Sequence, residues 1–593
     1  MFENEKIVET KICRHCNGSF DITDKDLEFY EKVSPIFQRP VSLKETGLNG
    51  EKSPDSKKES ELKKYLIPPP TLCPDCRQQR RLSFRNERKL YKRKCDFSGK
   101  DIISIYSPDK PYKVYNMDFW LSDKWSGVDY AKDFDFSRSA FEQFDELLKE
   151  VPRIPFFQSQ NENSEYTNGA QKNKNSYMIF VSDYNENCFY GNGIMYSKNV
   201  VDSLGVNKSE NCYECIDSDN CYNCYYSQDL VNCHDCYNCK GLIGKSYHIK
   251  NKEYPKEQYF KEIEKIFSKE KIKQDKVLYY HGFGIEKSTG DFIKQSKKST
   301  NCFDAEGIEY CKNIVYGFGI KDCYDSYVIV DDSQKCYETI SGINCYNTLF
   351  AYTSWYNSHS YYIDTCQTSK NLFLCAGLKN KSYCILNKQY TKEEYEKIVP
   401  KIIEHMMKTG EWGEFFPSSL SPFGYNETVA QEYYPINTPP IPHPFPQKEK
   451  GNNSCLFSFS LGGKDAGKAD RGTFNWSTYE APFPKVEKII PASKLPENIA
   501  DIPDDILNWA IECEVTKKPF RIIKEELAFY RKHNLPIPRR HPDQRHLDRM
   551  SLRNPRHLYT RNCDKCGKEI QTTYAPERPE IVYCEECYNK EMY

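Results

Sequence analysis

Between residues 163 and 390 the apolar positions come in short, regularly interrupted runs. Phrases such as ENCFYGNGI, ENCYECIDS, DNCYNCYYS, TNCFDAEGI and KDCYDSYVI recur every 9–13 residues, each an Asn/Asp-Cys-Tyr corner followed by a short Tyr/Val/Ile stretch. That is a strand-and-corner pattern, and its repetition predicts a solenoid whose coils bury their inward residues only by stacking. Cys302, Cys323, Cys345 and Cys366 lie 21, 22 and 21 residues apart, and Cys212 to Cys233 is again 21. The longer period predicts coils of 21–22 residues, as in a right-handed parallel β-helix. The run is also doubled: with a shift of 136, residues 239–259 lie on 375–395 with 13 of 21 pairs identical. Each half ends in a polar helical pattern, at 254–273 and 391–408, placed to cap the open end of a coil stack. Residues 137–150 (SRSAFEQFDELLKE) predict a short amphipathic helix with Ser137 or Ser139 as its cap.

The two ends of the chain are copies of one another. With a shift of 500, Cys13, Phe20, Ile22, Leu27, Phe29, Tyr30 and Lys32 recur as Cys513, Phe520, Ile522, Leu527, Phe529, Tyr530 and Lys532. With a shift of 468, residues 73–115 lie on 541–583 with 21 of 43 pairs identical. The first copy carries a charged insertion between these blocks, as a tolerated surface loop would. The expected fold is therefore mainly β: a central solenoid in two duplicated halves, flanked by two homologous α+β modules. The expected boundaries are 1–120 for the first module, 121–162 for a helical linker, 163–253 for the first solenoid half, 254–278 for a helical insert, 279–390 for the second half, 391–408 for a capping helix, 409–500 for a Pro-rich strap and 501–593 for the second module. Trp412, Phe415, Phe416, Phe423 and Tyr425 are the residues expected to pin the strap to the solenoid.

Cysteine spacing adds metal chemistry. The first module carries Cys13-x2-Cys16 and Cys73-x2-Cys76, and the second carries Cys563-x2-Cys566 and Cys584-x2-Cys587. Two Cys three apart on a tight knuckle aim two thiolates at one ion, and two knuckles complete a closed tetrahedral site of the structural type. In each copy the counterparts of the other's ligands are mostly lost: Cys513, Thr516, His541 and Gln544 in one, Cys95, Ser98, Asn116 and Phe119 in the other. An ancestral module with two four-Cys sites explains this, each copy keeping a different one. The expected cofactor is Zn2+, in two structural sites. The solenoid Cys read chiefly as a buried ladder of small apolar side chains, with further zinc or an Fe–S cluster on Cys212–Cys239 as alternatives.

Composition narrows the classes. The chain has 593 residues, a net charge of −1 and 27 Cys, with abundant Tyr and Phe. No stretch approaches 18 apolar residues and the first residues are charged, so a soluble, cytoplasmic protein without a membrane partner is expected. In that reducing setting the Cys are thiols or metal ligands, not disulfides. No P-loop, GxGxxG after a strand, GxSxG or HExxH occurs, and no enzymatic activity is indicated. A β-helix carbohydrate enzyme would need clustered carboxylates, and Asp325, Asp331, Asp332 and Asp364 are the candidates.

One feature points to nucleic acid. Arg77, Arg81, Arg85 and Arg88 recur at one-turn spacing, predicting one basic face of a helix, and the second module repeats them as Arg545, Arg549, Arg553 and Arg556. Pro555 is expected to end that second helix near Asn554. Arginine suits bidentate phosphate contact, so RNA or a ribonucleoprotein is an expected partner, read by backbone and shape. The competing reading pairs these arginines with Asp/Glu of the solenoid or strap, which leaves a protein–protein scaffold with structural zinc.

The terminal Cys motifs resemble zinc-ribbon and treble-clef modules. The phrases GEFFPSSLSPFGYNETVAQEY, CEVTKKPFRIIKEELAFYRKHNLPIPRRHPDQRHLDRM and GLKNKSYCILNKQYTKEEY resemble an uncharacterised Cys-rich family of uncultivated, small-genome bacteria. The resemblance implies a cytosolic zinc-binding protein and brings no activity.

Overall fold

The computed structural model describes residues 5–38, 62–263, 265–266, 276–315, 337–343, 349–436, 474–483 and 485–592. Cys323, Cys345, Asp325, Asp331 and Asp332 lie outside the described residues.

The chain is mainly β, and its centre is a parallel solenoid in two halves. The coil is 12 residues long. Val200 pairs with Cys212, Cys224 with Cys236, Cys236 with His248 and Ile363 with Cys375, all in parallel register. This corrects the expected 21–22-residue coil, and the reason lies in a three-residue unit. Through the first half every third residue is left-handed, as at Asn187, Tyr190, Gly193, Tyr196, Asn199, Asp202 and Gly205. Each left-handed residue turns a corner, so four triplets close one square coil. The residue after each corner points inward: Cys188, Ile194, Val200, Val206, Cys212, Cys215, Cys221, Cys224, Leu230, Cys233, Cys236 and Cys239 form one buried column. A spacing of 21 is seven triplets, which keeps a Cys inward-facing on a different wall.

Side chains other than Gly, Asn and Asp cost about 1–2 kcal/mol each in the left-handed region. Repetition offsets this by giving every coil two backbone ladders. Tyr177 donates to Cys188 O at 3.0 Å on the following coil, and Tyr190 donates back to Tyr177 O at 3.0 Å. The interior must be narrow, hence Ser, Cys, Gly and Val. Inward serines join the ladder: Ser176 Oγ accepts from the Cys188 N–H at 3.1 Å.

The stacks end as expected, on helices. Lys256–Ile263 follows the last coil of the first half and Lys392–Thr409 that of the second, the latter burying Tyr395, Val399, Ile402, Ile403 and Met406. Beneath each helix an asparagine replaces the missing coil. Asn387 Nδ2 donates to Ala376 O at 2.8 Å, and its Oδ1 accepts from the Ala376 N–H at 2.9 Å. Asn251 does the same for Lys240 at 2.7 and 2.8 Å. The helix expected at 137–150 spans Ala140–Glu150, and Ser139 is its cap.

The terminal modules have crossed hydrophobic seats. The first packs Phe29, Tyr30 and Val33 on Phe350, Tyr362 and Phe373 of the second solenoid half. The second packs Phe529 and Tyr530 on Tyr213, Tyr226 and Tyr237 of the first half. Tyr226 and Tyr237 map onto Tyr362 and Phe373 by the 136-residue shift, so both modules use the same seat on opposite halves. Trp412, Phe415, Phe416, Phe423 and Tyr425 are buried in the core of the first module's docking site.

Candidate metal centres and the arginine stripes

Each module contains two Cys knuckles of one geometry, at Cys13, Cys95, Cys513 and Cys563. In each, the Cys N–H donates to the carbonyl five residues on, at 2.9, 2.8, 3.1 and 2.7 Å respectively. The fourth residue after the Cys is left-handed every time: Asn17, Gly99, Lys517 and Gly567. Each knuckle joins two antiparallel strands, Ile7–Ile12 with Ser19–Thr23 and Tyr559–Asn562 with Glu569–Thr572 in the two Cys-complete cases. The second Cys pair in each site opens a helix, Pro74–Leu82 after Cys73 and Glu585–Met592 after Cys584.

Two of the four sites keep four sulfurs. Cys13, Cys16, Cys73 and Cys76 place their Sγ atoms within 4.8 Å of one another, as do Cys563, Cys566, Cys584 and Cys587, and either group could hold a metal ion. Cys16 and Cys73 Sγ are 3.7 Å apart, and so are Cys566 and Cys584 Sγ. A tetrahedron built on metal–sulfur bonds of ~2.3 Å has edges of roughly 3.8 Å, so the sulfurs sit at ligand spacing. Backbone N–H groups support the thiolates: Cys73 donates to Cys13 Sγ at 3.3 Å and Cys584 to Cys563 Sγ at 3.2 Å. Burial pushes the Cys563 thiol up, but N–H groups of Cys584, Cys566 and Lys565 outweigh it and bring it down to about 6. Sulfur–sulfur hydrogen bonds push Cys73 up to about 12, Cys13 being the largest contributor, while they hold Cys13 well below the ordinary thiol value. Four such groups ionise together only around a cation.

The other two knuckles lack the four-Cys set, and hydrogen bonds hold their sulfurs. Cys95 Sγ accepts from the N–H of Ser98 at 3.4 Å and of Asn116 at 3.2 Å. Asn116 and His541 stand where a ligand Cys opens a helix, and each caps it: Asn116 Oδ1 accepts from Phe119 N–H and His541 Nδ1 from Asp543 N–H. All described Cys are free thiols.

The arginines are not an exposed stripe. The helices are shorter than expected, ending at Leu82 and Met550, so only Arg77 and Arg81 in one module and Arg545 and Arg549 in the other are helical. Arg85, Arg88, Arg553 and Arg556 follow on a turn. All eight side chains lie inside the molecule, between the modules and the solenoid. Arg545 and Arg549 converge on Asp202, Arg549 at 3.2 Å. Arg81 lies 4.0 Å and its neighbour Arg80 2.9 Å from Glu338. Arg77 reaches Tyr30 Oη at 3.4 Å, Arg85 reaches Glu87 at 3.2 Å and Arg88 covers the Phe180 ring. Arg553 bridges Asp217 at 2.9 Å and Asp304 at 2.6 Å, joining the two halves, and Arg556 meets Asp304 at 2.8 Å. Charge runs were legible in the sequence, but their partners were not. Asp202, Glu338, Asp217 and Asp304 are isolated acids in repeats, and the 136-residue shift relating Asp202 to Glu338 was the one available signal.

The modules also touch each other, reciprocally. Asp543 meets Lys89 at 2.5 Å, and its counterpart Asp75 meets His557, the counterpart of Lys89, at 3.0 Å. Residue i meeting j′ while i′ meets j is the mark of a two-fold interface, here within one chain.

No protein-family model matches the chain, and no curated protein matches it in sequence. Among the described residues no helix is long and apolar enough to cross a membrane.

Proposed function

We propose that the chain is a non-enzymatic scaffold, in which two structural zinc modules clamp a pair of solenoids and leave the outer walls for a macromolecular partner. The observation that carries this reading is the burial of all eight stripe arginines against intramolecular partners, which makes the modules clamps that tie the two halves together. Zinc suits two closed, all-sulfur, tetrahedrally spaced sites and would fold the modules without an open coordination position for chemistry. The Cys212–Cys239 run supports no cluster, because its side chains are inward rungs stacked along the solenoid and, among the described residues, only the two terminal four-Cys groups converge on one point. A thiol-rich interior of this kind suits a reducing, cytoplasmic setting.

Metal analysis of purified protein should find about two zinc per chain, with a colourless solution. Iron with visible absorption would overturn the zinc assignment. Presentation of the arginines to RNA is the competing reading, and it requires the modules to lift from the solenoid. Titration of a structured RNA from about 50 to 300 mM salt separates the two. The scaffold reading expects no specific binding. Log-linear loss of affinity with salt, with a slope flattened in a folded Arg77→Gln/Arg81→Gln/Arg85→Gln variant, would establish RNA instead.

A further inference from the structure

The internal duplication exposes one difference between the modules that concerns binding. In the second module the first hairpin has a third strand. Lys488–Pro491 lies parallel to Trp509–Glu512, pairing Lys488 with Trp509, Ile489 with Ala510, Ile490 with Ile511 and Pro491 with Glu512. The hairpin register is the same in both modules: Lys11 pairs with Phe20 as Ile511 pairs with Phe520. The third strand would therefore lie along Glu9–Ile12 of the first module. Among the described residues no strand pairs there, and the first hairpin is a two-stranded sheet.

The side chains register the vacancy. Leu527 is 2% exposed under the segment that follows Pro491, and its counterpart Leu27 is 36% exposed. Ala510 and Ile511 are buried, whereas their counterparts Thr10 and Lys11 are exposed and half-buried, and Ile7, Val8 and Ile12 beside them are 48%, 57% and 63% exposed. An unpaired edge flanked by apolar side chains is a template for strand addition.

We infer that Ile7–Ile12, with Leu27, is a docking edge for an extended segment of a partner protein, laid parallel to that strand. The occupant is a basic residue followed by two branched apolar residues, the chemistry of Lys488-Ile489-Ile490. In the second module Lys488 Nζ lies 4.4 Å from the Trp509 ring centroid, and the residue at that position in the first module is the exposed Glu9, which favours a cation more strongly. The inference rests on the scaffold reading for its meaning, but its test does not involve the metal or RNA assays, so the two fail separately.

The test adds a labelled peptide VEKIIPAS, the sequence of residues 486–493, to the full-length protein and follows binding by anisotropy and amide exchange. The expected result is saturable binding with slowed exchange at residues 7–12. Leu27→Glu in the protein should weaken it about tenfold or more, that is about 1.4 kcal/mol or more. A peptide carrying Ile489→Glu and Ile490→Glu should not bind, which keeps the test valid if the protein variant misfolds. No binding overturns the proposal, as does protection confined to residues 488–512, which would be exchange with the built-in strand. Residues 7–12 already protected in the free monomer would show the chain covering its own edge. Concentration-dependent protection with dimer formation would make the occupant a second copy. Either outcome also overturns it.

Discussion

Asp202 shows how much a single buried residue carries in this molecule. It sits at a left-handed corner of the solenoid, wholly buried, and accepts from both Arg545 and Arg549. Removing one member of a buried ion pair leaves uncompensated charge, so Asp202→Ala should cost about 3–5 kcal/mol in chemical denaturation. Replacing Asp202, Arg545 and Arg549 together by apolar residues should cost far less, because the desolvation penalty disappears with the charges. His281 sets a pH dependence. Burial pushes its pKa down, but Asp291 at 2.9 Å and Asp229 at 3.8 Å raise it to about 9. A raised folded pKa stabilises fully below the unfolded value of about 6.5, and that share is lost as pH climbs through 9. Burial also raises Asp217 to about 7, so its ionisation opposes folding and removes stability from about pH 4 to 7. The share set by His281 should therefore fall with rising pH, and His281→Ala should flatten the slope between pH 6.5 and 9. A melting profile unchanged over that range would contradict the assignment. Below that range, His533, His541 and His546, which burial pushes down to about 4, oppose Asp217.

At the scale of elements, the coil is a device for ordering small residues. Cys and Ser are interchangeable rungs: Cys188 Sγ donates to Glu186 O at 3.5 Å as Ser197 Oγ donates to Met195 O at 2.7 Å. Cys224→Ser should cost less than about 1.5 kcal/mol, whereas Cys224→Leu overpacks the narrow interior and should cost about 1–3 kcal/mol. A Cys224→Ser variant losing metal would contradict the ladder. Asn387→Ala removes the amide that closes the stack and leaves Ala376 N–H and C=O unpaired, for a loss of about 1–3 kcal/mol by denaturant titration. The knuckles make a related point. Cys95 and Cys513 hold the same turn with hydrogen bonds, so the turn is a property of the backbone, and a metal held by the four-Cys sites would tie the knuckle to its helix.

At the scale of the whole molecule, the chain runs module, solenoid, solenoid, module. Each module seats its aromatic helix on the half farther from it in sequence and reaches the nearer half as well, through Arg88 over Phe180 in one and Thr573 on Asp291 in the other. The ends meet through Lys89–Asp543 and Asp75–His557, giving the pseudo-two-fold of a dimer made within one chain. A zero-length carbodiimide crosslink between Lys89 and Asp543 is expected in the monomer. Its absence, with no other link between residues 1–120 and 501–593, would contradict the paired arrangement. Because each module contacts both halves, chelation of a metal at either four-Cys site should loosen both in amide exchange.

The sequence by itself determined what repeats locally. The solenoid, its doubling, the copied ends and the eight metal-site Cys all follow from periodicity and spacing, which short-range geometry reads directly. Tertiary structure decided what depended on partners far along the chain. The coil length turned on a left-handed residue at every third position, including Tyr190 and Val181, which no propensity assigns to that region. The arginine stripe became a set of internal struts because Asp202, Glu338, Asp217 and Asp304 lie on other elements, and an isolated acid in a repeat does not announce its cation. A charge shows its sign in the sequence; the fold alone shows which opposite charge it meets.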